Sequence, residues 1–196
     1  MGESARKEKN LIRKEVLSRR DSIIAETKRL NDLKIKEKVL ALPEFGAAHK
    51  ILLYASFRSE VDTLDLLKYC LNSGKVIALP KVDNDNGRLT LYRMEDMNEV
   101  VAGYMGIPEP QVHEGRRMPV EEMDLIIVPG VAFDWHCNRL GYGKGFYDKL
   151  LARGAKAKVA LAYEEQIVEH IPSEPYDIKM DKIITDKRII DCSEII

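Results

Sequence analysis

The sequence predicts an α/β fold, a three-layer α/β/α domain with a mainly parallel sheet, and two observations carry this prediction. Short apolar runs of strand length, such as Leu125-Ile126-Ile127-Val128, alternate with longer segments in which apolar residues recur at helical spacing. A glycine-rich stretch over residues 139–148 then leads from a strand region into a predicted helix. Strands that alternate with helices favour right-handed crossovers and helices on both faces of the sheet. We expect one domain over 1–196, with a helical segment over 4–42 and an α/β core over 50–191.

The elements of the first half follow from apolar spacing and from turn residues. Pro43 should stop the second helix, and Asp62 or Thr63 should cap the third, which Gly74 closes. Pro80 should end a short buried strand, and the polar run 83–87 is typical of a turn. The predicted elements are helices over 4–20, 25–42 and 64–73, and strands over 51–55, 76–79 and 89–94.

The second half is predicted to continue the alternation after a long surface loop. That loop is indicated by Gly106, Pro108, Pro110, Gly115 and Pro119 within 103–119. Gly154 lies just beyond the end of the helix that follows the glycine-rich stretch. The predicted elements are a strand over 125–128, a helix over 146–153, a strand over 158–162 and a hairpin over 182–185 and 188–190.

The stretch Arg139-Leu140-Gly141-Tyr142-Gly143-Lys144-Gly145 is the strongest candidate for a ligand site. Glycine tolerates positive φ and lets a phosphate approach the backbone, and a lysine adds a point charge. The spacing fits neither the nucleotide-triphosphatase P-loop nor the dinucleotide pattern, because no Lys-Ser or Lys-Thr follows and Phe146 replaces the third glycine. Spacing alone therefore leaves a phosphate site and a plain turn both open.

Composition limits the class of protein. The chain has 196 residues, of which 45% are hydrophobic and 32% charged, as in a globular domain. Its net charge of −1 argues against broad nucleic-acid binding. No apolar run approaches the roughly 20 residues that span a bilayer, so we expect no membrane association and a cytoplasmic location. Cys70, Cys137 and Cys192 include no C-x-x-C pair, which argues against a disulfide framework and against a thiolate zinc site.

Positive charge is concentrated at the start of the chain. Residues 1–50 hold 13 Lys and Arg against 8 Asp and Glu. This excess is typical of the solvated faces of amphipathic helices, and it would also attract an anionic ligand. Both interpretations stay open at this point.

Two motifs together resemble a known family. Residues 129–134 (Pro-Gly-Val-Ala-Phe-Asp) and 138–148 (Asn-Arg-Leu-Gly-Tyr-Gly-Lys-Gly-Phe-Tyr-Asp) are similar to the signature of the 5-formyltetrahydrofolate cyclo-ligases. Residues 9–13, 59–63 and 180–182 match further family segments in order, so the resemblance runs from about residue 6 to 188. Tyr142 is a departure, since some members carry arginine there. The resemblance implies an architecture similar to sugar-phosphate isomerases and CoA-transferases.

The resemblance also implies an activity and its small-molecule partners. The reaction is ATP- and Mg²⁺-dependent closure of 5-formyltetrahydrofolate, or its polyglutamates, to 5,10-methenyltetrahydrofolate, with ADP and phosphate released. The formyl oxygen would attack the γ-phosphate, and N10 would then displace phosphate, so that the protein supplies positioning and charge. A non-catalytic nucleotide-binding module and an isomerase- or CoA-transferase-like enzyme are the alternatives.

The resemblance assigns the site residue by residue. Arg139 and Lys144 are the candidate catalytic residues, holding phosphate oxygens. The ATP-binding candidates are Lys9, Asn10, Leu11, Ile12, Arg13, Arg139, Leu140, Gly141, Tyr142, Gly143, Lys144, Gly145, Phe146 and Tyr147. The substrate-binding candidates are Ala55, Glu60, Tyr142, Gly143, Lys144, Gly145 and Phe146.

Asp148 and Asp181 are the expected Mg²⁺ ligands, since this ion prefers carboxylate oxygen, phosphate and water. Each has a structural alternative: Asp148 suits the first turn of a helix, and Asp181 suits an exposed strand edge. For Glu60, which matches a family residue that contacts the folate, the alternative is a solvent-facing loop carboxylate. His136 and Cys137 adjoin the motif, but nothing in the sequence orders a base against the thiol, and a nucleophilic cysteine is disfavoured.

Overall fold

An eight-stranded mixed sheet lies at the centre of the computed structural model, which describes residues 3–83, 86–154, 156–174 and 177–192. Asn84 and Asp85 of the predicted turn lie outside this described part. The strands are β1 (Lys50–Leu52), β2 (Val76–Asp83), β3 (Arg88–Met94), β4 (Val100–Ala102), β5 (Pro108–Pro110), β6 (Arg117–Met118), β7 (Leu125–Val128), β8 (Ala132–Asp134), β9 (Arg139–Leu140), β10 (Lys158–Leu161), β11 (Ile167–Val168), β12 (Lys182–Ile184) and β13 (Ile189–Asp191). The helices are α1 (Glu3–Asp21), α2 (Ala25–Leu40), α3 (Pro43–Ala47), α4 (Leu64–Asn72) and α5 (Phe146–Leu151).

The strand order of the main sheet is β13-β12-β10-β7-β1-β2-β3-β6. The five strands from β12 to β2 are parallel; β13 and β3 run antiparallel to this group at its two sides, and β6 pairs antiparallel with β3. Parallel strands need crossover connections, and helices α4 and α5 lie in those from β1 to β2 and from β7 to β10. The predicted α/β class and mainly parallel sheet are confirmed.

Both faces of the sheet are buried, which explains why its strands are apolar without alternation. Ile51 and Ile127 pack with side chains of α2, α3 and α4 on one face. Leu52 and Ile126 point the other way and pack with Leu150 of α5. Fully burying one such aliphatic side chain stabilises the fold by about 1.5–3 kcal/mol. The result is the predicted three-layer arrangement.

Helix α1 does not lie on the main sheet but against a three-stranded sheet of order β11-β8-β9. Val16 of α1 is fully buried beside Val131 and Leu140. The contact brings one face of α1 to the start of the glycine-rich stretch, because Leu140 ends β9. Within the described residues, no helix is both long and apolar enough to cross a membrane.

Three local predictions need correction. Strand β2 continues through Pro80 to Asp83, because beyond Ala78 it pairs only with β3 and a missing N–H is tolerated there. Pro43 does end the second helix, but it also begins the short α3 as its first residue. The predicted loop over 103–119 contains β5, which pairs with β4, as well as β6.

Candidate functional site

Residues 141–145, which we call the glycine loop, connect β9 to α5 with two residues in the left-handed region. Gly143 has φ 93° and Gly145 has φ 67°, values that L side chains rarely adopt. Gly141 differs from these two: a Cβ there would lie 2.9 Å from Nη1 of Arg139, so that guanidinium would have to shift. Gly143 and Gly145 therefore have the positive φ that the sequence predicts for glycines in this turn, and Gly141 packs closely against Arg139.

Arg13 is the residue of α1 that reaches the glycine loop. Its Nε donates to the carbonyl of Gly141 at 2.8 Å, and its Nη1 donates to Oδ1 of Asn10 at 2.7 Å. Partial burial lowers the pKa of Arg13 from its ordinary value, and an arginine guanidinium keeps its charge in proteins. The structure thus joins the N-terminal basic motif to the predicted phosphate site, across 128 residues of sequence.

Lys9 lies on the same face of α1 but has other partners. Its side chain is 7% exposed, and its ammonium lies 3.0 Å from Asp177 and 3.7 Å from Glu174. Leu11 is 68% exposed, whereas Ile12 packs against the cluster beneath α1. Of the predicted ATP-binding residues of α1, Lys9 is therefore paired with carboxylates, whereas Arg13 hydrogen-bonds the glycine loop.

Arg139 is held beneath the loop with its charge paired. Its Nη2 donates to Oδ1 of Asp148 at 2.7 Å, and its guanidinium lies 5.7 Å from the ring centre of Tyr147. The Nε is buried and has no hydrogen-bond partner among the described residues. Lys144, in contrast, is exposed and has no ion pair within the described part of the chain. Two cations with different roles therefore flank the loop: one fixed and one free.

Glu60 lies in the segment after β1, where the sequence predicted it, and is 9% exposed. Its Oε2 accepts a hydrogen bond from the backbone N–H of Phe57 at 2.9 Å, and its Oε1 accepts one from the hydroxyl of Tyr142 at 2.9 Å. Burial raises the pKa of Glu60, while the two hydrogen bonds and the charge of Arg20 lower it. Tyr142 thus places Glu60 directly beside the glycine loop. Ala55 is also buried, in the core under this segment.

Asp181 is not brought to the loop, which corrects the expected pairing of Asp148 with Asp181. Its carboxylate accepts from the backbone N–H and the ammonium of Lys158, at 2.7 Å and 2.9 Å. Lys158 begins β10 and pairs with Ile126, whereas Arg139 contacts the carbonyl of Pro129, beyond the end of β7. Asp181 is therefore held at the start of β10, whereas the arginine that holds Asp148 contacts the chain beyond the end of β7.

The expectation about cysteine is also corrected. Cys137 and Cys192 form a disulfide, with Cα atoms 6.0 Å apart, and Cys70 is free and buried. Cys137 therefore has no thiol to act as a nucleophile. The motif residue Asp134 is fully buried and accepts hydrogen bonds from the backbones of His136, Asn138 and Ile171. These bonds shape the turn that leads into Arg139.

Sequence reasoning missed Arg20, which is 3% exposed and touches both Tyr142 and Ser59. A signal was present: Lys9, Val16 and Arg20 are the buried residues of α1, and with Arg13 they follow helical spacing along one face. A buried arginine on the same face as a predicted phosphate ligand indicates a role near the site.

Comparisons with known proteins agree with this geometry. The model of the 5-formyltetrahydrofolate cyclo-ligase family matches residues 5–186. The 5-formyltetrahydrofolate cyclo-ligase of Escherichia coli K12 is 31% identical, over 78% of this chain and 86% of its own. A mitochondrial cyclo-ligase of Arabidopsis thaliana is 31% identical, over 94% of this chain and 76% of its own.

Solved structures give the same result. The NMR structure of Aquifex aeolicus 5,10-methenyltetrahydrofolate synthetase has a TM-score of 0.83 and 38% identity, covering 95% of this chain and 93% of that one. A Mycoplasma pneumoniae 5,10-methenyltetrahydrofolate synthetase has a TM-score of 0.74 and 26% identity, covering 91% and 98%. The chain therefore belongs to the 5-formyltetrahydrofolate cyclo-ligase family, and it is an enzyme that converts 5-formyltetrahydrofolate to 5,10-methenyltetrahydrofolate.

Proposed function

We propose that this enzyme drives cyclisation by transferring the γ-phosphoryl group of ATP to the formyl oxygen, with the phosphates on the glycine loop and the folate on Glu60. The observation that carries this proposal is the 2.9 Å hydrogen bond from Tyr142 to Glu60. It makes the two sites adjacent, and phosphoryl transfer needs its donor and acceptor in line at contact distance.

The chemistry balances without a covalent enzyme intermediate. The N5-formyl oxygen attacks the γ-phosphorus, the bond from that phosphorus to the bridging oxygen breaks, and ADP leaves. N10 then adds to the activated formyl carbon and loses its proton, and phosphate departs with the C–O bond to leave the methenyl bridge. An amide-like oxygen is a poor leaving group, so this activation is what the nucleotide contributes.

Three side chains are positioned to hold the phosphates. Lys144 is exposed at the loop and has no ion pair among the described residues, Arg13 lies across Gly141, and Arg139 lies against Gly141 from the other side. Preorganised charge at a transferring phosphoryl group is typically the largest catalytic contribution. Lys9 joins this set only if phosphate oxygens replace Asp177 and Glu174 as its partners.

Asp148 is the proposed protein ligand for Mg²⁺. Its side chain is 30% exposed and engages Arg139 through Oδ1, so the carboxylate faces both the loop and solvent. Mg²⁺ commonly takes one or two carboxylates and completes its shell with phosphate oxygens and water. When bound, the ion neutralises charge on the phosphates. Asp181 is left out of this proposal because it is paired with Lys158 at the other end of the strands.

Glu60 is the proposed anchor of the pterin ring. An ionised carboxylate accepts hydrogen bonds only, and the pterin ring offers N–H donors. The ring face would lie near Tyr142, Phe146 and Tyr147, which are partly exposed at the loop. Phe146 also lines a cavity of about 570 Å³ between α5 and β3.

The coupled reaction itself is the decisive experiment. Methenyltetrahydrofolate absorbs in the near ultraviolet and 5-formyltetrahydrofolate does not, so product formation is followed directly. We expect absorbance to appear only with ATP and Mg²⁺ together, with ADP formed in equal amount. Product without ATP would overturn the phosphoryl-transfer mechanism while leaving the overall conversion intact. The cytosolic location stays a prediction, since one relative is named as a mitochondrial enzyme.

A further inference from the structure

The guanidinium of Arg20 connects three segments of the chain around Glu60, the carboxylate that we propose binds the folate. Arg20, near the end of α1, is 3% exposed. Its Nε donates to Oγ of Ser59 at 3.0 Å, its Nη2 to the hydroxyl of Tyr142 at 3.0 Å, and its Nη1 to the carbonyl of Gly130 at 3.4 Å. Ser59 in turn donates to the carboxylate of Asp21. The end of α1 therefore holds the residue directly before Glu60.

The hydroxyl of Tyr142 stands between Arg20 and Glu60. A phenol has one proton, so while it accepts from Arg20 it can donate that proton to Oε1 of Glu60, at 2.9 Å. Burial and the nearby charge of Glu60 raise the pKa of Tyr142 to about 12, which keeps the phenol protonated. The guanidinium of Arg20, the phenol of Tyr142 and the carboxylate of Glu60 thus form a continuous hydrogen-bonded chain.

We propose that Arg20 is a positioning residue for the cyclisation, which acts through Tyr142 to keep Glu60 charged and aimed at the folate. The proposal rests on the function assigned to Glu60 above. It also gives Tyr142 a defined role. Because this residue belongs to the glycine loop, it ties the geometry of the nucleotide site to that of the folate site.

The surroundings of Glu60 explain why such support is needed. The carboxylate is buried among tyrosines, and their low polarity disfavours its charged form. Phe57 N–H, Tyr142 and Arg20 oppose that effect, and Arg20 is the one cation among them. Within the described part of the chain, Tyr54, Tyr147 and Tyr163 also lie close to Glu60, and Tyr163 is bonded to Asp32.

Removal of the support has a predictable direction. Without the Tyr142 hydroxyl or the charge of Arg20, the pKa of Glu60 rises further above its ordinary value. The protonated form, which has lost acceptor capacity toward the pterin, then appears at higher pH. Folate affinity should therefore fall at neutral pH, and its loss on acidification should begin earlier than in the wild type.

The experiment compares Tyr142→Phe, Arg20→Leu and Arg20→Lys with the wild-type enzyme. Tyr142→Phe keeps the ring and the loop, so ATP affinity should hold while folate affinity falls about tenfold, as expected for a hydrogen bond to a charged group. Arg20→Lys keeps the charge but not the contacts to all three segments. Compared with Arg20→Leu, it should therefore restore the pH midpoint of folate binding more fully than the folate affinity itself. Lys14→Leu removes one charge from an exposed position of the same helix and should match the wild type.

The outcomes separate this proposal from the one on which it rests. If Glu60→Gln leaves folate affinity unchanged, the assignment of Glu60 itself fails. If Glu60→Gln weakens folate but Tyr142→Phe retains wild-type affinity and pH profile, only the role of Arg20 and Tyr142 is overturned. Equal weakening of ATP and folate in Tyr142→Phe, with a lower Tm, would also overturn it in favour of a purely structural role. Because Arg20 is buried, Arg20→Leu is interpreted only if its circular dichroism matches the wild type.

Discussion

Arg139 and Asp148 form an ion pair of 2.7 Å across the glycine loop, with the arginine side chain only 4% exposed. The pair gives Asp148 two roles, because the same carboxylate can fix the arginine and offer an oxygen to Mg²⁺. It also means that Arg139 meets a nucleotide with its charge partly compensated. A divalent ion at Asp148 would weaken the pair and leave more of the arginine's charge for the phosphates.

Asp148→Asn should raise the Mg²⁺ concentration needed for half-maximal rate more than it raises the KM for folate, because an amide oxygen binds the ion without the charge. The measurement is initial rate against Mg²⁺ at saturating substrates. Asp181→Asn is the matched control, and its Mg²⁺ requirement should equal that of the wild type. A raised requirement in Asp181→Asn, with Asp148→Asn unaffected, would place the metal elsewhere.

Lys144→Met should lower kcat by about 10²–10⁴, because one preorganised charge at a transferring phosphoryl group supplies a few kcal/mol. Lys149→Met, on the adjoining helix, removes the same charge outside the loop and should retain most of the activity. Single-turnover rates at saturating ATP and folate make the comparison. Near-wild-type turnover in folded Lys144→Met would remove this residue from the phosphate site.

Glu60→Ala should weaken folate by roughly tenfold to a hundredfold, equivalent to about 1.5–3 kcal/mol for a hydrogen bond to a charged group. ATP affinity should be nearly unchanged. Burial raises the pKa of Glu60. On acidification, the folate affinity of the wild type should therefore begin to fall at a higher pH than an ordinary carboxylate would give. Glu60→Ala should lose this pH dependence. The measurement is calorimetric titration of ATP and of folate separately. Loss of ATP affinity with unchanged folate affinity would move Glu60 from the folate site to the nucleotide site.

Asp177→Asn should strengthen ATP binding severalfold if Lys9 binds phosphate, because the variant weakens the contact that holds Lys9 at 3.0 Å. Lys9→Gln should weaken ATP binding, whereas Lys7→Gln, at an exposed position of the same helix, should not. Equilibrium titration with a non-hydrolysable ATP analogue reports all three. Unchanged affinity in both Asp177→Asn and Lys9→Gln would make Lys9 a structural cation.

Cys192→Ser should lower the free energy of unfolding by up to about 4 kcal/mol in the chain-entropy estimate for a loop of this length. The disulfide it removes spans 55 residues. Thermal unfolding with and without reductant checks the effect: reductant should lower the Tm of the wild type and leave Cys192→Ser unchanged. Equal Tm values for the oxidised and reduced wild type would show that the bond adds nothing to stability.

Much of the fold was predictable because it depends on short-range patterns. The buried strands over 125–128 and 158–161 and the helix that follows the glycine loop lie within a residue or two of their predicted positions. Pro80 was predicted to end its strand, but a proline is tolerated in a strand where no neighbouring strand needs its N–H. Strand β1 pairs with β2 only as far as Ala78, so no such neighbour lies beside Pro80 on that side. The pairing of Cys137 with Cys192 was missed for the same reason, since sequence spacing does not show which ends of the chain meet.

By itself, the sequence determined the backbone freedom of the glycine loop, the burial of the sheet and the resemblance to the family. These depend on backbone freedom, apolar periodicity and motif spacing, all of which act over a few neighbouring residues. Only the tertiary structure decided which polar groups contact each other. It forms the hydrogen bonds from Arg13 to Gly141 and from Tyr142 to Glu60, and the ion pairs of Lys9 with Asp177 and of Lys158 with Asp181. Electrostatic contacts depend on distance in space, and that distance is set by strand order and by which ends of the strands share an edge.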